Sequence, residues 1–433
     1  MSFSTNPTTL PRLLAGMSAA GPVPLADHLE IHGPLPPRRR GRGDAALALV
    51  NELERSGLRG RGGAAFPTAT KVTAVAASRG RPIVVVNACE GEPASVKDRL
   101  LLERVPHLVI DGALVAARAL GATEVLLAVD ESATNAVHAT DWALGERPEP
   151  AQGGPPLRLA TVPSGYVTGQ ETAVVNFLDG GPAKPIYMPA PIYERGVKGR
   201  PTLVSNVETF AHLALIARHG GAWFRALGAP GTPGSTLVSV SGAVAHPGVF
   251  EIETGTHIAS LIQAAGGATE GLRAFLLGGY AGIWVSADLG YQLPLSPEGL
   301  YEVGASLGSG VVFALPSSAC AVSEVALMAR WLSDQSAGQC GPCVHGLDAI
   351  ATALEQVRAG GAGEDALARI YRWAALAPGR GACAHPDGAA RFVMSATRVF
   401  GDELADHARH GPCDGCLERH LLPAPLATAR RAA

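Results

Sequence analysis

The run Ile83-Val84-Val85-Val86 constrains this chain more than any other short stretch. Apolar β-branched side chains at every position leave no face for water, so the segment suits a strand covered on both sides, as in a parallel sheet under helices. It ends in Asn87-Ala88-Cys89-Glu90-Gly91-Glu92-Pro93. Polar residues at the C-terminal end of such a strand stand where open α/β sheets bind ligands. Similar runs follow at Val125-Leu126-Leu127-Ala128-Val129 and from Leu157 to Val162, with helical patterns between them. Strands alternating with helices predict a parallel, doubly wound sheet.

A glycine-rich run, Gly57-Leu58-Arg59-Gly60-Arg61-Gly62-Gly63-Ala64-Ala65-Phe66-Pro67-Thr68, precedes the first strand. Closely spaced glycines let a loop take positive φ and turn successive backbone N–H groups towards an anion. Pro67 suits the first turn of a helix, whose N-terminus favours a phosphate. Arg59, Arg61 and Lys71 add positive charge. The run fits neither G-x-G-x-x-G nor a Walker A loop. On spacing alone it reads equally as a phosphate cradle or as a Gly-Arg surface loop.

At 433 residues the chain has room for two to four domains, and a 47% hydrophobic content supports real cores. A net charge of −3 argues against a nucleic-acid partner. Met1 to Met17 lacks the apolar core of a signal peptide. The stretch from Leu108 to Val129 is broken by Asp111, Arg118 and Glu124, so no transmembrane helix is predicted. A cytoplasmic protein is expected. There the seven cysteines read as metal-binding, redox-active or buried rather than disulfide-paired.

Residues 1–45, rich in Pro, Gly and Arg, read as an irregular lead-in with a solvated basic run at Arg38-Arg39-Arg40. Asp44 can cap a helix carrying Leu47, Val50 and Leu53. Residues 46–230 are expected to form the α/β domain. It includes a Gly169 turn before a helix and a long loop from Lys184 to Arg200. Beyond Pro230-Gly231-Thr232-Pro233-Gly234, the strands Leu237 to Ser241 and Val249 to Glu253 join at His246-Pro247-Gly248, and Thr256 can cap the next helix. That order opens a β-grasp module, expected over 235–318. Four apolar stripes then predict a helical bundle over 322–408, followed by a tail over 409–433.

Cys340-Gly341-Pro342-Cys343 admits three readings. It has the thioredoxin tetrad's letters but follows a helix rather than a strand. It could join Cys413 and Cys416 in a tetrahedral zinc site. It could instead hold an iron–sulfur cluster with Cys383 as a remote ligand. Cys320 reads as a small buried hydrophobe, and Cys89 either as filler or as a thiol touching a cofactor.

Several blocks in order resemble the NADH-binding flavoprotein subunit of respiratory complex I and its relatives in NAD-linked hydrogenases and formate dehydrogenases. They are Gly57 to Lys71, Asn87 to Arg99 with Pro106-His107, Gly165 to Ala173, Pro201 to Thr209, and Gly338 to Cys343. The resemblance implies an α/β flavin-binding domain with a parallel sheet, a β-grasp domain of the soluble-ligand-binding type, and a C-terminal helical bundle. It implies FMN, NAD and a [4Fe–4S] cluster as cofactors. NAD(P)H would be the donor, and an iron–sulfur or ferredoxin-like electron-transfer protein the partner.

Carried over by position, Gly60, Arg61, Gly62, Gly63 and Lys71 would hold the FMN phosphate side. Asn87, Glu90, Gly169, Glu171, Asn206 and Thr209 would line the rest of the flavin. Phe66, Glu92, Lys184 and Tyr187 would face the nucleotide, with Glu92 as the catalytic carboxylate. Cys340, Cys343 and Cys383 would bind the cluster.

The departures are specific. The family's cluster motif, Ser-Cys-Gly-x-Cys-x-Pro-Cys, here reads Ser336-Ala337-Gly338-Gln339-Cys340-Gly341-Pro342-Cys343, so Ala337 replaces the first thiolate. Either His345, His385 or a tail cysteine completes the set, or a three-cysteine cluster with a labile iron forms, or the cluster is absent. Cys89 stands for an Asp, Gln170 for a Glu, Ser205 for an Asn, Ala65 for a Gly, and Ala74 for a nucleotide-stacking aromatic. FMN is therefore a firmer expectation than NADH specificity. The alternative function is a non-catalytic scaffold subunit with a degenerate nucleotide pocket and a structural zinc site on Cys340, Cys343, Cys413 and Cys416.

Overall fold

The computed structural model describes residues 9–37, 41–147, 154–360, 362–417 and 421. These form two compact units. One comprises residues up to 91, 96–238 and 249–256, and the other 92–95, 239–248 and 257 onwards.

In the first unit, β1 (Ile83–Ala88), β2 (Val125–Asp130), β3 (Leu157–Val162) and β4 (Thr202–Asn206) make an all-parallel sheet in the order β3-β2-β1-β4. The apolar runs of β1 and β2 are buried, as their lack of a polar face requires. Among the described residues, nine helices accompany the sheet: α1 (Leu25–His32), α2 (Arg42–Ser56), α3 (Thr68–Ala77), α4 (Lys97–Arg104), α5 (Pro106–Leu120), α6 (Thr134–Gly145), α7 (Glu171–Leu178), α8 (Val207–His219) and α9 (Gly221–Phe224).

The strand order positions the site. The chain steps outward from β1 to β2 to β3, then returns to add β4 on the other edge of β1. The direction of winding reverses at β1, and such a reversal opens a crevice at the C-terminal ends of the two strands that flank it. Those ends are in register, Asn87 beside Asn206.

Two expectations fail here. The lead-in is packed rather than irregular: it carries α1, and Leu13, Val23 and Arg12 are buried. Arg12 stacks on the Trp223 ring at 3.8 Å and donates to the Trp223 carbonyl. The backbone N–H groups of Arg12, Leu13 and Leu14 all donate to the Glu251 carboxylate. The basic run Arg38-Arg39-Arg40 lies outside the described residues. Asp44 does not cap α2, which begins two residues earlier after Gly41, and Leu47 points outward.

Past the short ladder of β5 (Gly228–Ala229) and β6 (Thr232–Pro233) come β7 (Ser235–Gly242) and β8 (Gly248–Glu253), flanking the predicted turn. Then follow α10 (Ile258–Ala264), β9 (Leu272–Leu277), β10 (Ile283–Ser286), α11 (Ala287–Gly290), α12 (Pro297–Tyr301) and β11 (Val311–Pro316). The sheet order is β10-β9-β11-β7-β8, with β11 parallel to β7 and antiparallel to β9. Thr256 does not cap α10. Its hydroxyl donates to the Glu253 carbonyl, and His257 precedes the helix.

The C-terminal part is helical: α13 (Ala321–Asp334), a π-helical turn (Pro342–Leu347) running into α14 (Asp348–Ala359), α15 (Glu364–Leu376), α16 (His385–Val399) and α17 (Gly401–His410). Four stripes predicted four helices, and α17 is the addition. Its buried face is Leu404, His407 and Ala408, too polar a set to show as an apolar stripe. The helices pack directly on the sheet in this unit: the Trp284 amide donates to Ser395 Oγ, and the Trp284 ring meets Phe400 edge-on at 5.2 Å.

Candidate functional site

The glycine-rich run folds into a pinned hairpin. Gly60 N–H donates to the Phe66 carbonyl and Thr68 N–H to the Leu58 carbonyl, closing the base just before α3. Gly63 takes φ +105°, a conformation that side chains disfavour. Ala65, at a position where the resemblance implies glycine, takes φ 49°. Holding an alanine there costs about 1 kcal/mol. Among the described residues, the amides of Gly62, Gly63 and Ala64 are spent on no protein acceptor.

The hairpin lies over the end of β4. Arg61 N–H donates to Thr209 Oγ1 at 2.9 Å, and a Cβ on Gly62 would stand 3.2 Å from the Asn206 Cβ. Lys71, one turn into α3, pairs with Glu171 at the start of α7 and donates to the Val204 carbonyl on β4. Asn87 closes the other side, with Nδ2 donating to the Gly169 carbonyl at 2.8 Å. Gly169 must be glycine, because a Cβ there would fall 2.5 Å from the Cys89 carbonyl oxygen. Glu90 accepts from the amides of Asp98 and Arg99 and so seats the start of α4. The crevice thus gathers Gly60, Arg61, Gly62, Gly63, Lys71, Asn87, Glu90, Gly169, Glu171, Asn206 and Thr209 around one end of the sheet.

Arg61 turns inward. Its guanidinium is buried, donates to the Arg59 and Ser235 carbonyls, and lies 3.5 Å from Glu208. Glu208 anchors a buried ionic group that the sequence reading missed. It is fully buried, 2.9 Å from Lys97 Nζ, and accepts from Thr236 Oγ1 and Leu237 N. Lys97 also meets Asp98 at 2.8 Å, and Asp98 pairs with the Asn206 amide. Burial alone would raise the Glu208 pKa, but Lys97, His212 and Arg61 outweigh it and hold the carboxylate ionised. Burial works against the Lys97 ammonium, and Asp98 and Glu208 more than restore it. The available signal was a Glu beside Val207 and Phe210 at the start of α8 and the charged run Lys97-Asp98-Arg99.

Cys89 turns away from the crevice into the apolar cluster of Ile83, Val85, Leu126, Ala128 and Val174. Burial, and after it Asp130, drives its thiol pKa up, so it is neutral filler. Gln170 caps α7, its Oε1 accepting from the amides of Thr172 and Ala173, a task that needs an oxygen but no charge. Phe66 and Lys184 are exposed, and Tyr187 is 90% exposed, so these three side chains face solvent. Glu92 belongs to the second unit, where its buried carboxylate accepts from the amides of Ala94 and Tyr280.

In the second unit, Cys340, Cys343 and Cys383 come together at the N-terminal end of the π-helical turn. Burial raises the Cys343 thiol to about 12, followed by its neighbours Cys340 and Cys383. Burial also pushes Cys340 up, but hydrogen bonds from the amides of Ala382 and Cys343 and from the Cys343 side chain outweigh it, and the net shift is downward. Three thiols therefore face one another beside amides that favour thiolate. Ala337 is buried and brings no ligand. The zinc quartet of Cys340, Cys343, Cys413 and Cys416 does not form, because Cys413 and Cys416 stand with Cys320 and His407. That also removes the tail cysteines as replacements for the thiolate missing at Ala337.

Comparison with known proteins agrees with this layout. The Nuo51 FMN-binding domain family matches residues 53–215, the SLBB domain 237–279, and the NADH-ubiquinone oxidoreductase-F iron-sulfur binding region 323–407. An NADH-quinone oxidoreductase subunit of Rhizobium meliloti (strain 1021) is 32% identical over 392 residues, covering 84% of this chain and 90% of that protein. The corresponding NADH-quinone oxidoreductase subunit of Streptomyces coelicolor is 32% identical over 381 residues, with 84% of each chain covered. The crystal structure of NAD+-reducing [NiFe]-hydrogenase in the H2-reduced state superposes with a TM-score of 0.80 at 30% identity, covering 93% of this chain and 68% of that one. No helix among the described residues is long and apolar enough to cross a membrane. With its parallel sheet, its glycine hairpin at the switch point and its helical C-terminal region, the chain belongs to the family of NADH-quinone oxidoreductase subunits that carry the Nuo51 FMN-binding domain.

Proposed function

We propose that this chain is the flavoprotein subunit of a larger electron-transfer enzyme, taking electrons from NAD(P)H and handing them to an iron–sulfur partner. One observation carries the reading: a hairpin whose tip amides are spent on no acceptor among the described residues lies over the C-terminal end of β4, beside that of β1, at the switch point. Backbone donors in that setting suit a phosphate. FMN, when bound, supplies the exchange between two-electron and one-electron transfer that a nicotinamide donor and an iron–sulfur acceptor require.

The chain's own residues then have distinct tasks. The amides of Gly62, Gly63 and Ala64 hold the phosphate. Lys71 gives it a cation, restrained by Glu171. Asn87 and Asn206, at the ends of neighbouring strands, orient the ring system. Arg61 acts inside, fixing the hairpin to Glu208 rather than touching the ligand. Lys184, Phe66 and Tyr187, all exposed, are left to contact the nucleotide. Cys340, Cys343 and Cys383 supply three thiolates, one short of the usual four, so a cluster there takes its fourth iron ligand from elsewhere. The β-grasp reading of residues 235–318 is supported by the SLBB match and by the mixed five-stranded sheet.

The test is an anaerobic preparation of the full chain. One FMN per chain, with an absorption band near about 450 nm that bleaches on adding NADH, is expected. Gly63→Val, which bars φ +105°, removes the flavin. A preparation that stays colourless after incubation with FMN overturns the proposal, and bleaching by NADPH alone reassigns the donor.

A further inference from the structure

A second cysteine site lies apart from the three thiols discussed above. Cys320 sits at the N-terminus of α13, His407 on α17, and Cys413 and Cys416 on the turn that follows α17. The ligand atoms of all four lie within 4.8 Å of one another. The Cys320 sulfur is 3.2 Å from that of Cys416 and 3.7 Å from His407 Nε2. The Cys413 and Cys416 sulfurs are 3.8 Å apart, and the Cys416 sulfur is 4.0 Å from the same His407 Nε2. Cys320 lies 87 residues before His407, whereas His407 and Cys416 are only 9 apart, so one remote thiol joins a local group. Three of the four lie outside residues 323–407, the span of the iron–sulfur region.

We propose that Cys320, His407, Cys413 and Cys416 bind one structural Zn2+ ion. Metal–sulfur bonds of about 2.3 Å and a metal–nitrogen bond of about 2.0 Å set the edges of a tetrahedron at about 3.5–3.8 Å, and the four separations above, 3.2 to 4.0 Å, bracket that range. A four-iron cluster is excluded by the same spacing, because each thiolate would hold a different iron and the sulfurs would spread around the cluster body. A disulfide would give the buried imidazole no part. Four protein ligands fill the coordination sphere, which is the mark of a structural rather than a catalytic zinc.

The surroundings are built for thiolates. The Ser323 amide donates to Cys320 Sγ at 3.3 Å. Ser323 Oγ accepts from Arg358 Nε at 3.1 Å, which leaves its own hydrogen for the Cys416 sulfur it adjoins. The Arg358 charge thus offsets that of the three sulfurs through one hydroxyl. Gly415 lets the Cys413–Cys416 turn close on the Cys320 turn, since a Cβ there would stand 3.2 Å from the Ser318 carbonyl and 3.3 Å from the Cys320 amide. The ion would staple the segment after α17 to the start of α13.

Elemental analysis of the full chain, purified under reducing conditions from zinc-supplemented medium, is the experiment. One zinc per chain is expected. It should persist in Cys343→Ser and fall to background in Cys416→Ser. Cobalt replacement guards against a misfolded variant, because the wild-type protein should then show the intense visible bands of a tetrahedral thiolate-bound Co2+. Protease treatment of the wild type with and without a chelator should release the C-terminal segment only when the metal is removed. Three results would overturn the proposal: a wild-type chain without zinc after reconstitution, iron with acid-labile sulfide that disappears in Cys416→Ser, or a mass two hydrogens lighter that marks a disulfide among Cys320, Cys413 and Cys416.

Discussion

The two units hold their chemistry in different ways. The crevice of the first is shaped by backbone and steadied by buried charge: tip amides on a hairpin, strand ends in register, and Glu208, Lys97 and Arg61 locked behind them. The second unit carries its chemistry on thiols brought together from distant segments, with Cys320 and Cys416 separated by 96 residues. A backbone site depends on the whole fold around it, whereas a thiol site can be emptied one ligand at a time. Damage to the ionic group should therefore unfold the first unit along with its site. Damage to a single cysteine should remove a metal and leave the flavin in place.

The largest effect expected is from Lys97→Ala, which leaves Glu208 and Asp98 buried without their shared cation. Removing one partner of such a group costs about 3–5 kcal/mol, read as a drop in the urea midpoint with loss of bound flavin. A change under about 1 kcal/mol would show that buried charge does not hold this crevice.

His107 gives the next effect, through pH. Arg147 Nε donates to its Nδ1 at 3.2 Å, so the ring is neutral and Nε2–H donates to Glu146 at 2.9 Å. Burial first, then Arg147, lowers its pKa to about 4. The unfolded chain takes up a proton near pH about 6.5, before the folded one does. Stability is complete above that pH and declines as pH falls towards 4, by on the order of 1–2 kcal/mol after solvent screening. Urea titrations at neutral pH and near pH 5 should show this, and His107→Asn should flatten the difference.

Gln170→Ala, which removes the cap of α7, should cost about 1 kcal/mol. Gln170→Glu should cost nothing at neutral pH, since the capping oxygen remains. Smallest in stability is Ala337→Cys, expected within about 1 kcal/mol of wild type yet raising iron and sulfide content by completing four thiolates. If it adds no iron, the loop at Ser336-Ala337-Gly338 no longer faces the cluster region.

How much of this was legible in the sequence follows from the range of each interaction. The strands at 83, 125 and 157 show in local periodicity, because burial on both faces leaves a continuous apolar run. The hairpin shows in its glycines, and the family blocks specify its ligand type. Cys340 and Cys343 were visible because both ligands fall within one turn. Cys320 was not, because no local pattern reports a partner that arrives from the far end of the bundle. The same holds for Glu208 with Lys97, and for α17, whose buried His407 looks polar until its neighbours are known. Leu47 and Thr256 were misread for smaller reasons: the buried stripe of α2 runs through Ala46, Leu49, Val50 and Leu53, which leaves Leu47 outside it, and α10 starts one residue too late for Thr256 to cap it.

The grip of Glu251 on the amides of Arg12, Leu13 and Leu14 has a consequence for how the chain is made. The contact from Arg12 spans 239 residues. Residues 12–14 therefore wait until Glu251 has been translated before they can dock. β4 likewise joins β1 only after β2 and β3 have been made. Until then one edge of β1 is open, and an open apolar strand edge invites pairing with other chains. The nascent protein should thus be most prone to aggregate, and most dependent on chaperones, in the interval between emergence of β3 and emergence of β4. Ribosome-bound chains long enough to expose β3 but not β4, and longer chains that expose both, would reveal it by their difference in chaperone occupancy.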